Sequence, residues 1–188
     1  MNAANALTLA RLLATPFVVA LMYREDPLSR YLAAGLFIAA MITDLFDGYL
    51  ARRAGPTTLG TFLDPIADKT LILSVLIALG AFGIIPFWIG LVLMFREFWV
   101  SAIRSLAAVK GTVVGANWMG KSKTFLQVIL IVWGLWIHAR QAAEGVIANL
   151  ELTGILVFAV ANAFLALTFA VVFTWWHRRL FDRKELGA

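Results

Sequence analysis

Apolar residues in this chain run in six blocks separated by charged or turn-forming breaks, at about residues 6–22, 31–52, 61–81, 85–108, 121–138 and 151–176. The blocks approach or exceed the roughly 20 residues that a helix needs to cross about 30 Å of hydrocarbon. The pattern therefore predicts an all-α integral membrane protein with six transmembrane helices, packed as one domain over residues 1–188. The first block could be mistaken for a secretory signal. It has no basic stretch before it, contains Arg11 and Pro16, and lacks a convincing small-residue cleavage site, so a retained helix is expected.

Composition supports this reading. Of 188 residues, 62% are hydrophobic and 14% charged, against about 25% charged in soluble domains. Six of the seven tryptophans, Trp88, Trp118, Trp133, Trp136, Trp175 and Trp176, fall near block ends, where an indole can bury its ring and still hydrogen-bond at headgroup depth. Only Trp99 lies well inside a block. The formal charge of +5 follows from topology. With the N-terminus inside, Arg52, Arg53, Lys110, Lys121, Lys123, Arg178, Arg179, Arg183 and Lys184 fall on the cytoplasmic side, against Arg24, Arg30 and Arg140 outside. Both termini are thus expected in the cytoplasm, and the high pI needs no nucleic-acid partner. The basic inner face and the lack of a targeting extension point to the inner membrane of a prokaryote. Zero cysteines exclude disulfides, thiolate catalysis and Cys-ligated zinc.

One stretch breaks the apolar pattern: "DLFDGYLARRAGPTTLGTFLDPIADK", residues 44–69, holds four aspartates. Asp44 and Asp47 are three apart at the end of the second block, and Asp64 and Asp68 four apart at the start of the third. On helices each pair shares a face. Gly55 and Pro56 predict a short cytoplasmic turn that makes the two helices antiparallel, so that all four carboxylates converge. Four lipid-facing aspartates would cost about 10–14 kcal/mol. They are therefore expected in a polar cavity at the inner interface, with their repulsion cancelled by two divalent cations. Oxygen-only ligands favour hard ions, Mg²⁺ or Mn²⁺. The alternative is salt bridging to Arg52, Arg53 and Lys69. His138 and His177 sit at distant block ends and read as interfacial residues. Gly48, Ala51 and Gly60 either admit a ligand to the backbone or pack helices closely.

Together Asp44, Asp47, Gly48, Ala51, Arg52, Gly60, Asp64 and Asp68 form the pattern D-x2-D-G-x2-A-R-x7-G-x3-D-x3-D. It resembles the signature of the CDP-alcohol phosphatidyltransferases. The resemblance implies a six-helix membrane enzyme, usually a homodimer, that transfers a phosphatidyl group from CDP-diacylglycerol to an alcohol and releases CMP. It further implies that the four aspartates bind two divalent ions, that Asp68 also acts as base on the acceptor hydroxyl, and that Gly48, Ala51, Arg52 and Gly60 line the CDP site.

The acceptor must be read elsewhere. The stretches "NALTLARLLATPF" and "REFWVSAIRSLAAVKGTVVGANWMGKSKTFLQ" resemble the corresponding parts of bacterial family members whose acceptor is glycerol 3-phosphate. From the residues themselves, Arg96 and Arg104 within the fourth block, with Lys121 and Lys123 opening the fifth, supply cations for a phosphorylated acceptor near the aspartates. Ser101 and Arg104 share a helix face. Arg104 and Lys123 are the leading candidates; Thr8, Arg11 and Arg96 are secondary. The competing account of these cations is topology, attraction to anionic lipid, and pairing of Arg96 with Glu97 or an aspartate. The last block, without an ionisable residue between Glu151 and His177, is expected to serve packing and lipid contact. Inositol phosphate, serine or phosphatidylglycerol remain alternative acceptors. A divalent-cation channel or carrier would explain the aspartates but not the Gly, Ala and Arg positions between them.

Overall fold

The computed structural model describes the backbone of residues 3–54, 58–110, 118–145 and 149–178, and side chains at 6–43, 66–67, 69–110, 124–145 and 149–178. It is all-helical over these residues. Six helices follow one another: α1 (Ala3–Met22), α2 (Pro27–Ala54), α3 (Thr58–Ala81), α4 (Phe87–Val109), α5 (Trp118–Glu144) and α6 (Asn149–Trp176). Each expected block lies within one of these helices to within two residues at either end, and α5 runs six residues past its expected end. The expected turn at Gly55 and Pro56 lies outside the described residues.

Helix starts and stops have local causes. Asp26 caps α2: its Oδ2 accepts from the Ser29 backbone N–H at 2.8 Å, and Pro27 fills the first helical position, where no N–H is needed. Gly83, at φ 71°, lets the chain leave α3 with a left-handed residue. Pro16 in α1 removes one backbone donor, and the neighbouring Thr15 Oγ1 donates to the Arg11 carbonyl at 3.1 Å.

α1 packs on α2 and α3, α5 on α2, α3 and α6, and α4 on α3 and α6. The core centres on α3, whose Leu71, Val75, Leu76 and Leu79 are fully buried. At one end of the bundle Tyr23 meets Phe82 with ring centroids 4.8 Å apart, and Phe82 meets His138 at 4.2 Å. The C-terminal ends of α1, α3 and α5 and the start of α2 therefore share that end, and α2 and α3 run antiparallel.

The reading of His138 as an interfacial residue is corrected here. It is only 1% exposed, and its Nε2 bonds the Met22 carbonyl, one of the carbonyls left over at the end of α1, at 2.9 Å. Arg30 reinforces the junction, donating to the His138 carbonyl at 3.2 Å and the Arg24 carbonyl at 2.8 Å. His177 does sit at a helix end, its Nδ1 2.8 Å from the Phe173 carbonyl.

The outer surface is apolar. Leu13, Phe17, Phe95, Phe164 and Val171 are all largely exposed. α6 has a mean hydropathy of 2.5 in its most apolar window, of which only 39% is buried; a soluble core helix of that hydropathy would be mostly covered. The 124–144 segment of α5 also meets the length and hydropathy of a membrane span. Exposed threonines satisfy their hydroxyls within their own helices, Thr153 on the Asn149 carbonyl and Thr168 on the Phe164 carbonyl, as lipid contact requires.

Candidate active site

The signature straddles the break between α2 and α3. Asp44, Asp47, Gly48, Ala51 and Arg52 lie in the last turns of α2; Gly60, Asp64 and Asp68 lie in the first turns of α3. Both helices are continuous through their aspartate pairs, so positions 44 and 47, and positions 64 and 68, fall on common faces. Three residues separate the helices, a link of at most about 14 Å. The end of α2 and the start of α3 therefore stand together, at the bundle end opposite His138. The side chains of the eight signature residues lie outside the described residues, as do those of Lys121 and Lys123 at the start of α5.

The remaining candidates gather at the same end. Thr8 and Arg11, in the first half of α1, are both buried. α4 descends toward the site, and Lys69, next to Asp68 in sequence, donates from Nζ to Ser101 Oγ across the α3–α4 contact. Ser101 passes its own proton to the Glu97 carbonyl at 2.8 Å. The Ser101 hydroxyl is thereby fixed, with its oxygen turned toward the α3 helix that carries Asp64 and Asp68. Lys69 enters the sequence reading only as a salt-bridge partner for the aspartates. Its bond to α4 depends on tertiary packing.

Arg104 differs from its expected setting within a span. Its side chain is exposed, with the guanidinium 5.8 Å from the Phe173 ring centroid. It lies one turn beyond Ser101 toward the end of α4. Arg96 has the opposite fate. It is 2% exposed, its Nη1 donates to Glu97 Oε1 at 2.7 Å, its Nε points to the Ala166 carbonyl at 3.4 Å, and its guanidinium stacks over Phe169 at 4.8 Å. Glu97 supplies its counter-charge, so Arg96 braces α4 against α6, as the competing account of the cation cluster anticipates. Its Nη2 has no hydrogen-bond partner among the described residues.

Gln127 is a polar residue the sequence reading passes over. It is buried on α5, one turn beyond Lys123, and its Nε2 has no partner among the described residues. The signal was its spacing of four from Lys123, which places it on the same helix face.

The donor set at the α2–α3 junction, four carboxylates with no sulfur or imidazole, suits hard divalent cations. The sequence matches the CDP-alcohol phosphatidyltransferase family over residues 1–176. The chain belongs to this family. A protein of Mycobacterium tuberculosis named probable phosphatidylglycerophosphate synthase is 46% identical over 140 residues, covering 72% of this chain and 66% of that protein. The chain thus spans slightly less than two thirds of that relative. Longer coverage comes from a Rickettsia bellii protein named CDP-diacylglycerol–glycerol-3-phosphate 3-phosphatidyltransferase, 38% identical over 167 residues, 88% of this chain and 90% of the relative. A Bacillus subtilis protein of the same name is 38% identical over 143 residues, covering 69% and 74%. Among the family's marks, the aspartate signature sits on the two helix ends that the fold brings together.

Proposed function

We propose that this protein transfers the phosphatidyl group of CDP-diacylglycerol to glycerol 3-phosphate, giving phosphatidylglycerophosphate and CMP. The observation that carries this is the complete signature on the adjoining ends of α2 and α3. The names borne by relatives at 38–46% identity support the acceptor.

In this reading Asp44, Asp47, Asp64 and Asp68 would hold two divalent cations, Mg²⁺ or Mn²⁺. Bound there, the cations supply charge neutralisation for the diphosphate and the leaving phosphate. Gly48, Ala51 and Gly60 leave room for the cytidine nucleotide, and Arg52 offers it a cation. Asp68 takes the proton of the attacking hydroxyl as the new oxygen–phosphorus bond forms and the bond from that phosphorus to CMP breaks. Arg104, Lys121 and Lys123 hold the phosphate of the acceptor and Ser101 orients it, with Thr8 and Arg11 closing the site from α1. The six helices cross the prokaryotic inner membrane with both termini and the site in the cytoplasm, the chain forms one domain over residues 1–188, and the enzyme works as a homodimer.

An acceptor panel tests the reading. Purified protein is given CDP-diacylglycerol, Mg²⁺ and one acceptor at a time, and CMP is measured. Release with glycerol 3-phosphate is expected. Release only with inositol phosphate, serine or phosphatidylglycerol would move the enzyme to another acceptor, and metal-dependent ion flux in liposomes without CMP release would make it a carrier.

A further inference from the structure

A groove of about 480 Å³ runs along the outer side of α4 and α6. Its α6 wall is a single stripe from Leu167 through Val171 and Trp175 to Arg178, and Phe95 and Trp99 of α4 form the facing wall. These six positions include one charge, and it lies at the mouth. The floor is chemically closed: Trp99 Nε1 donates to Thr174 Oγ1 at 2.9 Å, and Thr174 donates in turn to the Ala170 carbonyl at 2.7 Å. At the deep end Arg96 is neutralised by Glu97. Apart from Arg178 at the mouth and Arg96, whose Nη2 is unpaired among the described residues, the lining is apolar and suits hydrocarbon.

Its dimensions and charge select the occupant. The eleven residue steps from Leu167 to Arg178, nine of them within α6 and two just past its end, rise about 16 Å, close to the depth of one leaflet, half of a core about 30 Å thick. At the end of that stripe Arg178 lies over the Trp175 ring at 5.0 Å, and no described carboxylate pairs with it. A chain-length apolar slot ending in an exposed guanidinium matches a single acyl chain with an anionic head. We propose that this groove binds one anionic glycerophospholipid, its acyl chain along the α6 stripe and its phosphodiester on Arg178. The groove is bounded by α4 and α6, whereas the signature lies on α2 and α3, of which α3 packs against one of the groove's walls, α4; competition with CDP-diacylglycerol distinguishes the two sites.

Native mass spectrometry of the full-length protein in detergent, with phosphatidylglycerol or phosphatidylcholine added, tests the proposal without reference to catalysis. Wild type is expected to retain one phosphatidylglycerol per chain, at least about fivefold in preference to phosphatidylcholine. Arg178→Gln should abolish the preference, and Val171→Trp, which fills the slot from its exposed side, should abolish retention. Equal retention of both lipids by wild type would reduce the groove to ordinary lipid contact and overturn the proposal. Displacement of the bound lipid by CDP-diacylglycerol but not by an equal excess of phosphatidic acid would assign the groove to the donor instead. Because the chain has no cysteine, Val171→Cys gives a third readout: a disulfide-linked dimer in membranes would make the occupant a second copy.

Discussion

Arg104 and Asp68 carry different parts of the proposed reaction, and single substitutions separate them. Arg104 is exposed and, among the described residues, touches one ring, so its loss costs little structure. A hydrogen bond to a charged group is worth about 1.5–3 kcal/mol, on the order of 10- to 100-fold in affinity. Arg104→Ala is therefore expected to raise KM for glycerol 3-phosphate by roughly tenfold or more, leaving KM for CDP-diacylglycerol nearly unchanged. Initial-rate kinetics with each substrate varied in turn checks this, and an equal loss for both substrates would remove the assignment. Asp68→Asn should lower kcat by about 10² to 10⁴, the usual contribution of a general base. Loss of activity with retained binding of the nucleotide, followed by calorimetry with CDP, separates a failed proton transfer from a collapsed site. The two residues also differ in legibility. The eight-position spacing of the signature names Asp68 outright, whereas the exposure of Arg104 depends on where α6 ends beside it. The same holds for Arg96: in sequence it is one more cation near Arg104, and only the approach of Ala166 and Phe169 makes it a brace.

Single elements were largely readable because their causes are local. Unbroken apolar length sets each helix, and the Asp26–Pro27 pair starts α2 at a defined residue. Hydrogen bonds from Ser29 hold the Asp26 carboxyl below its ordinary value near 3.8. A depressed folded-state value means that the ionised carboxylate stabilises the fold above about pH 4, and that this contribution disappears as pH falls through the lower folded value. The melting temperature of Asp26→Ala should thus lie below wild type at neutral pH, with the gap closing in acid. A gap independent of pH would show that the cap does not act through its charge. Which face of a helix meets which neighbour was not readable, because every face of α6 is apolar and periodicity carries no direction. Glycines mark two cases that only the structure distinguishes. A Cβ at Gly134 would come within 2.7 Å of the fully buried Leu79 side chain, while one at Gly35 meets nothing within 4 Å. Gly134→Leu is expected to destabilise by about 1–3 kcal/mol through overpacking of α5 on α3. Gly35→Ala should be neutral or raise the melting temperature, by up to about 1 kcal/mol of helix propensity. Thermal melts in one detergent compare the two.

At the scale of the whole molecule, the two ends of the bundle spend their basic residues differently. At the His138 end Arg140 is tied to Glu144 and Glu151, at 2.5 and 2.7 Å. Arg30 there is committed to backbone carbonyls. Arg140 and Arg30 at that end are thus engaged locally while Arg24 is exposed, and at the signature end Arg104 and Arg178 both face outward. In the proposed orientation the end that carries Arg104 and Arg178 is the cytoplasmic one, as the retention of basic segments on that side requires. Single cysteines in the cysteine-free chain test this directly. Glu25→Cys, in the exposed turn before α2, should react with a membrane-impermeant maleimide in intact cells. Val109→Cys, 86% exposed at the end of α4, should react only after permeabilisation. The reverse pattern would turn the molecule over and place the aspartates of α2 and α3 outside the cytoplasm, away from a soluble nucleotide product. Labelling at both positions in intact cells would mean that α2, α3 and α4 do not cross the bilayer as three spans, and the six-span reading would fail with it.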